Sequence, residues 1–328
     1  MTDIDMPPAD PTPPPAILPP PLPAPKKPRV WPVYANLAIV VVVAFGMQIL
    51  LGVALVAVYM VQHGASDQSA LTDYINDMVV DPRLLVFAGF ATQAILLGGA
   101  VLPAWFSPEK FRTRLRLCKP RGQPLLLVWV ILSGLSISLM FQCAEALCAM
   151  HDIPLPTEQL ERLGKAIHSA SGILAVGVFF VVSIMAPVCE ELLCRGYIQS
   201  RLERRHGPLI AILVASSFFA FLHFDLLHSA FAFAFGLYIG LVAWRTGSTI
   251  TGILIHFLNN TLASLGGDIN LGSMSQPLVL LVLALAALAL ATGVFAAFRI
   301  KMPKPPLFQF IGFEVEGVGR GAAVHSNG

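Results

Sequence analysis

Long apolar segments, separated by short polar ones, run through most of this 328-residue chain. Each apolar segment is close to the roughly 20 residues that an α-helix needs to cross a bilayer. Eight spans are predicted, at residues 33–61, 84–106, 124–150, 172–200, 208–224, 228–244, 248–265 and 277–298. The pattern therefore predicts an all-α polytopic membrane protein with about eight transmembrane helices.

The composition agrees with a membrane protein. Hydrophobic residues make up 56% of the chain and charged residues 12%, whereas soluble proteins carry about 25% charged residues. The formal net charge of +2 gives no reason to expect a nucleic-acid partner, and membrane lipids are the expected surroundings. The five cysteines form no CxxC pair of the kind that binds a metal.

The polar ends divide the chain into three parts. Residues 1–30 are rich in proline, which disfavours helix and sheet interiors, and they predict a disordered cytoplasmic tail. Residues 31–300 form the predicted eight-helix intramembrane domain, and residues 301–328 form a predicted cytoplasmic C-terminal tail. Between the third and fourth spans, the amphipathic stretch LERLGKAIH is expected to lie on the membrane surface.

Basic residues are distributed unevenly between the two sides of the predicted membrane. With the N terminus inside, seventeen lysines and arginines fall in inside segments and three fall in outside loops. Because inside loops carry the excess of positive charge, both termini are predicted to be cytoplasmic. A composition rich in Ala, Pro and Val favours the bacterial inner membrane as the location.

Three charged residues lie close together inside the fourth span: Glu190, Glu191 and Arg195. A charged side chain at the centre of a membrane helix costs about 2.5–3.5 kcal/mol on insertion scales, so partners or a function are expected. Glu191 and Arg195 are four residues apart and meet on one helix face, which predicts a structural ion pair. Glu190 is left without a partner in its own span.

Polar residues at a similar depth in two other spans are the expected partners of Glu190. A turn near residues 206–208 folds the fourth and fifth spans into a hairpin, which places His223 opposite Glu190. His256 and Asn260 share one face of the seventh span, and His256 lies about 16 Å from the arginine at its inside end. Five other histidines are predicted to be solvated: His151, His168, His206, His228 and His325.

A carboxylate and an imidazole beside a buried water can act as a general base. Glu190, His223 and His256 are also plausible zinc ligands, with Asn260 as an oxygen ligand or as a hydrogen-bond donor to the transition state. Either arrangement would hydrolyse a peptide bond within the membrane. The sequence has no HExxH, no GxSxG aligned with a membrane histidine and no mid-span aspartate, which disfavours the other protease mechanisms.

These residues also resemble the signature of a known family. The motifs are EExxxR at Glu190, Glu191 and Arg195, FxxxH at Phe219 and His223, and HxxxN at His256 and Asn260. In this order, on three of the last five spans, they resemble the CPBP intramembrane proteases. That family includes the type II CAAX prenyl endopeptidases and bacterial bacteriocin-processing or self-immunity relatives of the Abi-like group. The resemblance covers about residues 80–265.

The resemblance implies an endopeptidase that cuts a membrane-associated peptide or protein in a cavity open to the cytoplasm. It implies that Glu190 and His223 activate the water, and that His256 and Asn260 stabilise the oxyanion or complete a metal site. Glu191, Arg195 and Phe219 would support the site. Zinc is therefore a candidate cofactor, and a glutamate-dependent mechanism without a metal is the alternative.

Two other functions fit part of the pattern. Buried Glu, His and Arg side chains are also what a proton-coupled transporter or channel uses, but the sequence lacks the repeated pair of broken spans that marks transporter halves. A catalytically silent membrane partner is the second alternative. Cleavage of a peptide library by the wild-type protein, and not by Glu190→Ala, separates a protease from both.

Overall fold

The computed structural model of the chain describes residues 29–63, 68–265 and 271–302. The predicted proline-rich tail lies outside the described residues, apart from Arg29 and Val30, and so does the predicted C-terminal tail, apart from Lys301 and Met302. The described residues contain helices and no strand. This confirms the predicted all-α fold.

Twelve helices lie in the described part of the chain. They are α1 (Trp31–His63), α2 (Gln68–Val79), α3 (Pro82–Trp105), α4 (Phe111–Arg114), α5 (Pro124–Ser133), α6 (Ser136–Met150), α7 (Glu158–His168), α8 (Gly172–His206), α9 (Pro208–Phe221), α10 (Leu226–Thr246), α11 (Thr249–Leu265) and α12 (Gln276–Arg299). The predicted amphipathic stretch between the third and fourth spans is α7. A single turn of 3₁₀-helix, Leu271–Ser273, precedes α12.

The helices correspond to the predicted membrane spans, with a difference in length. Six segments of the described chain are long and apolar enough to cross a membrane: α1, α3, the α5–α6 pair, α8, α10 and α12. The fifth and seventh predicted spans are helical too, but α9 has 14 residues and α11 has 17. The structure thus fits a polytopic membrane protein, and the predicted count of eight is approximate.

The fifth predicted span is shorter than expected, which leaves His223 outside a helix. Helix α9 ends at Phe221, and Phe224 has a φ of 51°, in the left-handed region that a right-handed helix does not use. Asp225 then caps α10 by accepting a hydrogen bond from the backbone N–H of His228 at 2.6 Å. His223 therefore lies in the turn between α9 and α10.

The long helix α8 lies at the centre of the helix bundle, packed against α3, α9, α10 and α11. Its backbone changes from α-helical to π-helical at Phe180–Met185 and again at Leu192–Gln199. Every residue from Cys189 to Ser200 is buried. The predicted residues Glu190 and Glu191 therefore lie in a stretch that is enclosed by other helices.

Four polar residues at intervals of four follow one another along α8: Glu191, Arg195, Gln199 and Glu203. A π turn bonds residue i to i+5 and is wider than an α turn, which keeps a four-residue repeat close to one face. Gln199 Nε2 donates to Glu203 Oε1 and to the Gly240 carbonyl, each at 2.8 Å. This row of four polar side chains extends from the predicted site towards the C-terminal end of α8.

The predicted inside segments meet at one end of the helices. Hydrogen bonds join Arg201 to the Arg29 carbonyl, Arg116 to Glu203, Arg204 to Glu109, the Arg121 N–H to the Thr246 carbonyl, and Arg245 to the Ile300 carbonyl. We call this the arginine-rich end, defined by Arg29, Arg116, Arg201, Arg204 and Arg245. The predicted outside segments contact one another elsewhere, through the Arg162–Asn76 and His151–Gln276 pairs.

Candidate active site

The adjacent carboxylates Glu190 and Glu191 have different surroundings. Successive residues of a helix point about 100° apart, so the two side chains face different neighbours. The side chain of Glu191 is 0% exposed, whereas that of Glu190 is 11% exposed. Of the two carboxylates, only Glu190 keeps a surface that a small molecule such as water can reach.

Glu191 is held by two side chains. Arg195 Nη1 donates to its Oε1 at 2.9 Å, and His256 Nδ1 lies 3.2 Å from the same oxygen. Arg195 also donates through Nη2 to the Gly236 carbonyl at 3.0 Å, and its guanidinium lies 4.8 Å from the centre of the Phe219 ring. The predicted Glu191–Arg195 pair is present, and its contacts join α8 to α9, α10 and α11.

Gly252 allows α11 to approach Glu191 closely. A Cβ atom at position 252 would lie 2.8 Å from Glu191 Oε2 and 2.8 Å from Ile239 Cγ2, closer than packed side chains tolerate without moving. His256 is one helical turn further along α11. The absence of a side chain at residue 252 therefore brings His256 within reach of the carboxylates.

Glu190 is held by a residue of α3. Gln93 Nε2 donates to Glu190 Oε1 at 2.8 Å. The other carboxylate oxygen, Oε2, lies 4.0 Å from His256 Nε2, which is beyond hydrogen-bond distance. His256 thus lies between the two carboxylates, with Nδ1 bound to Glu191 and Nε2 near Glu190. Gln93 Oε1 is buried and has no hydrogen-bond partner in the described part of the chain.

The ring of His223 is oriented by the backbone of α9. Its Nδ1 lies 2.9 Å from the Phe219 carbonyl, and because a carbonyl only accepts, Nδ1 carries the hydrogen and Nε2 is an acceptor. Phe219 lies edge-to-face against His223 and His256, with ring centres 5.1 and 5.5 Å apart. Among the described residues, no hydrogen bond or ion pair joins His223 directly to Glu190.

Asn260 contacts the backbone of α8. Its Nδ2 donates to the Val182 carbonyl at 2.9 Å. Val182 lies in the first π-helical segment, where its carbonyl would accept from residue 187, but residue 187 is a proline without an N–H. Asn260 therefore supplies the hydrogen bond that Pro187 removes. Within the described residues, Asn260 makes no hydrogen bond to the other three predicted catalytic residues.

The predicted zinc ligands are not gathered into a metal site. In residues 29–63, 68–265 and 271–302, no group of three or more His, Cys, Asp and Glu side chains is arranged to hold a metal ion. The Nδ1 atoms of His256 and His223 are occupied, by Glu191 and by a backbone carbonyl, which leaves Nε2 of each ring as the nitrogen that could bind a metal. As arranged, these side chains do not fit a zinc ion, and zinc stays a prediction from the sequence.

Two further residues at the site were not predicted. The sequence contains one indication for Gln93, because it is an amide inside an apolar span. Hydrogen-bonding groups in such a span need partners within the protein. His228 was predicted to be solvated, and this is wrong: its ring is half-buried and its centre lies 4.3 Å from that of His223. The Asp225 cap starts α10 before His228, so His228 lies in the first turn of the helix, beside His223.

The fold and these contacts define a class: a polytopic helical membrane protein with a buried glutamate–histidine site. Residues 172–262 match the family model described as type II CAAX prenyl endopeptidase Rce1-like. This match to an Rce1-like model of the CPBP family covers less than a third of the chain, and it confirms the predicted resemblance over that range. Glu190, His223, His256 and Asn260 lie inside the matched range.

The match supports a CAAX-type intramembrane protease, which implies an integral membrane protein with a membrane-associated substrate. No curated protein and no solved structure matches the chain significantly.

Proposed function

We propose that the chain is an intramembrane endopeptidase that hydrolyses a peptide bond in a membrane-associated peptide or protein, with water activated by Glu190 and His223. The Rce1-like match over residues 172–262 supports the reaction class. The observation that carries the assignment is the contrast between the two glutamates. Glu191 is fully buried and bound to Arg195, whereas Glu190 keeps exposed surface and an oxygen outside hydrogen-bond distance of His256. A general base must reach its water, and Glu190 is the carboxylate that can.

The proposed reaction uses one carboxylate as base and then as acid. Glu190 Oε2 accepts a proton from water while the water oxygen attacks the carbonyl carbon, giving a tetrahedral oxyanion. Glu190 then transfers that proton to the amide nitrogen as the C–N bond breaks, which releases an amine and a carboxylic acid. Gln93 keeps Oε1 in a hydrogen bond, so Oε2 is the oxygen available for the proton.

The histidines have separate proposed roles. His223 Nε2 is an acceptor, so it can take a second hydrogen bond from the water and orient it between Glu190 and the substrate. His256 Nδ1 donates to the Glu191 carboxylate, so Nε2, which lies near Glu190 Oε2, carries a hydrogen only in the imidazolium form. In that form His256 would stabilise the oxyanion. Asn260 is engaged with the Val182 carbonyl, which supports a positioning role through the backbone of α8.

The test is cleavage of a peptide library by the purified full chain in detergent, with products identified by mass spectrometry. Glu190→Gln keeps the shape and removes the base, so the rate should fall at least about 10²-fold while the melting temperature stays the same. His223→Ala should have a similar effect. Glu158→Gln, an exposed glutamate of α7, is the matched control and should cleave at the wild-type rate. Equal rates in Glu190→Gln and Glu158→Gln would overturn the proposal.

The proposed location is the bacterial inner membrane, with both termini in the cytoplasm. The composition rich in Ala, Pro and Val supports the bacterial membrane. The uneven distribution of basic residues supports the orientation, and so does the meeting of the predicted inside segments at the arginine-rich end. Reporter fusions after Lys119 and Arg205 should read as cytoplasmic, and a fusion after Gln276 as external. An external signal at Arg205 would contradict this orientation.

A further inference from the structure

Arg114 is a buried arginine with unused hydrogen-bonding capacity, close to the arginine-rich end. It is 2% exposed, and its Nη1 has no hydrogen-bond partner in the described part of the chain. Its guanidinium lies 5.0 Å from the centre of the Tyr197 ring on α8. A buried cation without a hydrogen-bonding anion is unfavourable, so this group is suited to a negatively charged ligand.

A glycine of α8 brings this loop onto the helix. A Cβ at Gly196 would lie 3.1 Å from the Leu115 carbonyl oxygen, so a larger residue would push the backbone next to Arg114 away. The contact places Arg114 against Tyr197, inside the fully buried stretch of α8. The position of Arg114 is therefore built into the packing of the helix, unlike that of a surface arginine.

Two more arginines lie near Arg114. Burial lowers the pKa of Arg114, and the positive charges of Arg201 and Arg204 lower it further. Arg201 is half-buried and uses its Nε to donate to the Arg29 carbonyl at 3.2 Å. Among the described residues, neither Arg114 nor Arg201 has a carboxylate within 4.0 Å. The arginines around Arg114 therefore carry more positive charge than the nearby carboxylates neutralise.

The nearby carboxylates are already paired. Arg204 binds Glu109 through two hydrogen bonds, one of them 3.0 Å from Nη2 to Oε2, and the pKa of Glu109 lies below its usual value because of the hydrogen bond from Arg204. Arg116 binds Glu203 in the same bidentate way. Both carboxylates therefore take their hydrogen bonds from other arginines, and Glu109 acts on Arg114 and Arg201 only through its charge.

Large aromatic side chains are exposed at the same end of the helices. Trp31 begins α1, two residues after Arg29, and Trp105 and Phe106 follow at the end of α3, three residues before Glu109. Exposed Trp residues mark the headgroup level of a bilayer. The arginines are therefore expected at the depth of lipid headgroups rather than in bulk water.

We propose that Arg114 and Arg201 bind the phosphate group of an anionic phospholipid in the leaflet next to the arginine-rich end. A guanidinium presents two parallel N–H groups that match phosphate oxygens, and basic pockets at the ends of membrane helices bind lipid headgroups. A phosphate bound here would fix the position of Arg114, and through it that of Tyr197. Tyr197 lies in the buried stretch of α8 that also carries Glu190. The proposal is independent of the proposed proteolysis.

The test uses the purified full chain in a neutral detergent, with melting temperature and native mass spectrometry as readouts. Phosphatidylglycerol is added in one arm, phosphatidylcholine with the same acyl chains in a second, and inorganic phosphate in a third. Phosphatidylglycerol should raise the melting temperature and stay bound to the protein, and the other two should do neither. Glu190→Gln should bind phosphatidylglycerol as the wild type does.

Variants locate the binding site. Arg114→Gln and Arg201→Gln should each weaken phosphatidylglycerol binding at least about tenfold, and the half-buried Arg201 provides the test if Arg114→Gln fails to fold. Arg205→Gln, an exposed arginine with the same charge change, is the control and should bind normally. Equal losses in Arg201→Gln and Arg205→Gln would show diffuse surface attraction and overturn the site. An equal response to inorganic phosphate, or none to phosphatidylglycerol, would overturn the lipid assignment.

Discussion

Gln93 on α3 and Glu190 on α8 are joined by a 2.8 Å hydrogen bond, although 97 residues separate them in the sequence. A hydrogen bond to a charged group contributes about 1.5–3 kcal/mol, enough to fix one of the two carboxylate oxygens. The residue that orients the proposed base thus lies outside the Rce1-like range of residues 172–262. This relationship leads to the first prediction.

Gln93→Met should lower kcat at least about tenfold and leave KM nearly unchanged, because methionine has a similar shape but cannot hold Glu190 Oε1. The protein should stay folded, since a thioether is well tolerated among apolar side chains. Thr92→Val, one position away on α3, is the matched control and should keep its rate. A wild-type kcat in Gln93→Met would show that the amide has no role in the reaction.

The pair formed by Glu191 and Arg195 is predicted to be structural. Arg195→Met should reduce the free energy of unfolding by about 3–5 kcal/mol, because it removes one partner of a fully buried pair. The double variant Glu191→Gln, Arg195→Met should be more stable than Arg195→Met alone. Melting temperatures in detergent measure both.

The Arg204–Glu109 pair offers a control for that measurement. Its side chains are 39% and 32% exposed, and exposed pairs contribute about 0–1 kcal/mol. Arg204→Met should therefore change the melting temperature little. If the double variant at Glu191 and Arg195 is as unstable as the sum of its single variants, the two residues do not act as a pair.

Asn260 is predicted to act through the Val182 carbonyl. Asn260→Ala should lower the melting temperature, because the half-buried Val182 carbonyl would lose its donor, and an unsatisfied buried group costs at most about 1–3 kcal/mol. Adding Pro187→Ala restores an N–H at the position that Asn260 replaces, so the double variant should recover stability and part of the activity.

Pro208→Ala, at the first turn of α9, is the control for the proline change and should give no recovery with Asn260→Ala. Recovery of stability without any activity would instead indicate that the Asn260 amide contacts the oxyanion directly.

Gly252→Ala should destabilise the protein by about 1–3 kcal/mol, because the new methyl group would overlap Glu191 Oε2 and Ile239 Cγ2. Activity should fall with stability, since α11 also carries His256. Gly46→Ala in α1, where nothing lies within 4 Å of the new Cβ, should be neutral or slightly stabilising. Thermal unfolding of both variants tests the difference, and equal effects would contradict the close approach of α11.

Removal of metal ions should leave cleavage unchanged, because the described His, Cys, Asp and Glu side chains form no group of three that could hold a metal. The measurement is the rate after dialysis against a chelator, with metal content determined by elemental analysis. Stoichiometric zinc in active protein, lost together with activity in His223→Ala and His256→Ala, would establish the zinc site predicted from the sequence.

The charged part of the site could be predicted from the sequence, because titratable groups in an apolar span need partners. The i, i+4 spacing identified the Glu191–Arg195 pair, and the depth argument brought His256 to the two glutamates. The same reasoning could not identify Gln93. A neutral amide in an apolar span has no unique partner, and the face of α3 that meets α8 is decided by packing.

Backbone detail was the other part that the sequence did not reveal. The engagement of Asn260 depends on a π-helical segment of α8, and whether a helix widens around a proline depends on its neighbours. The end of α9 before His223 depends similarly on the left-handed Phe224 and the Asp225 cap. Such features follow from tertiary structure, and hydrophobic periodicity does not report them.

The enclosure of α8 from Cys189 to Ser200 has a consequence for saturation mutagenesis. When variants are scored by protein abundance alone, this stretch should appear as one block of intolerance, because nearly every new side chain meets a packed helix. Glu190→Gln would be the exception, since it keeps the volume and the Gln93 contact while it removes the base. Residues that are needed for folding can therefore be distinguished from the residue that is needed for catalysis only if abundance and cleavage are measured in the same cells.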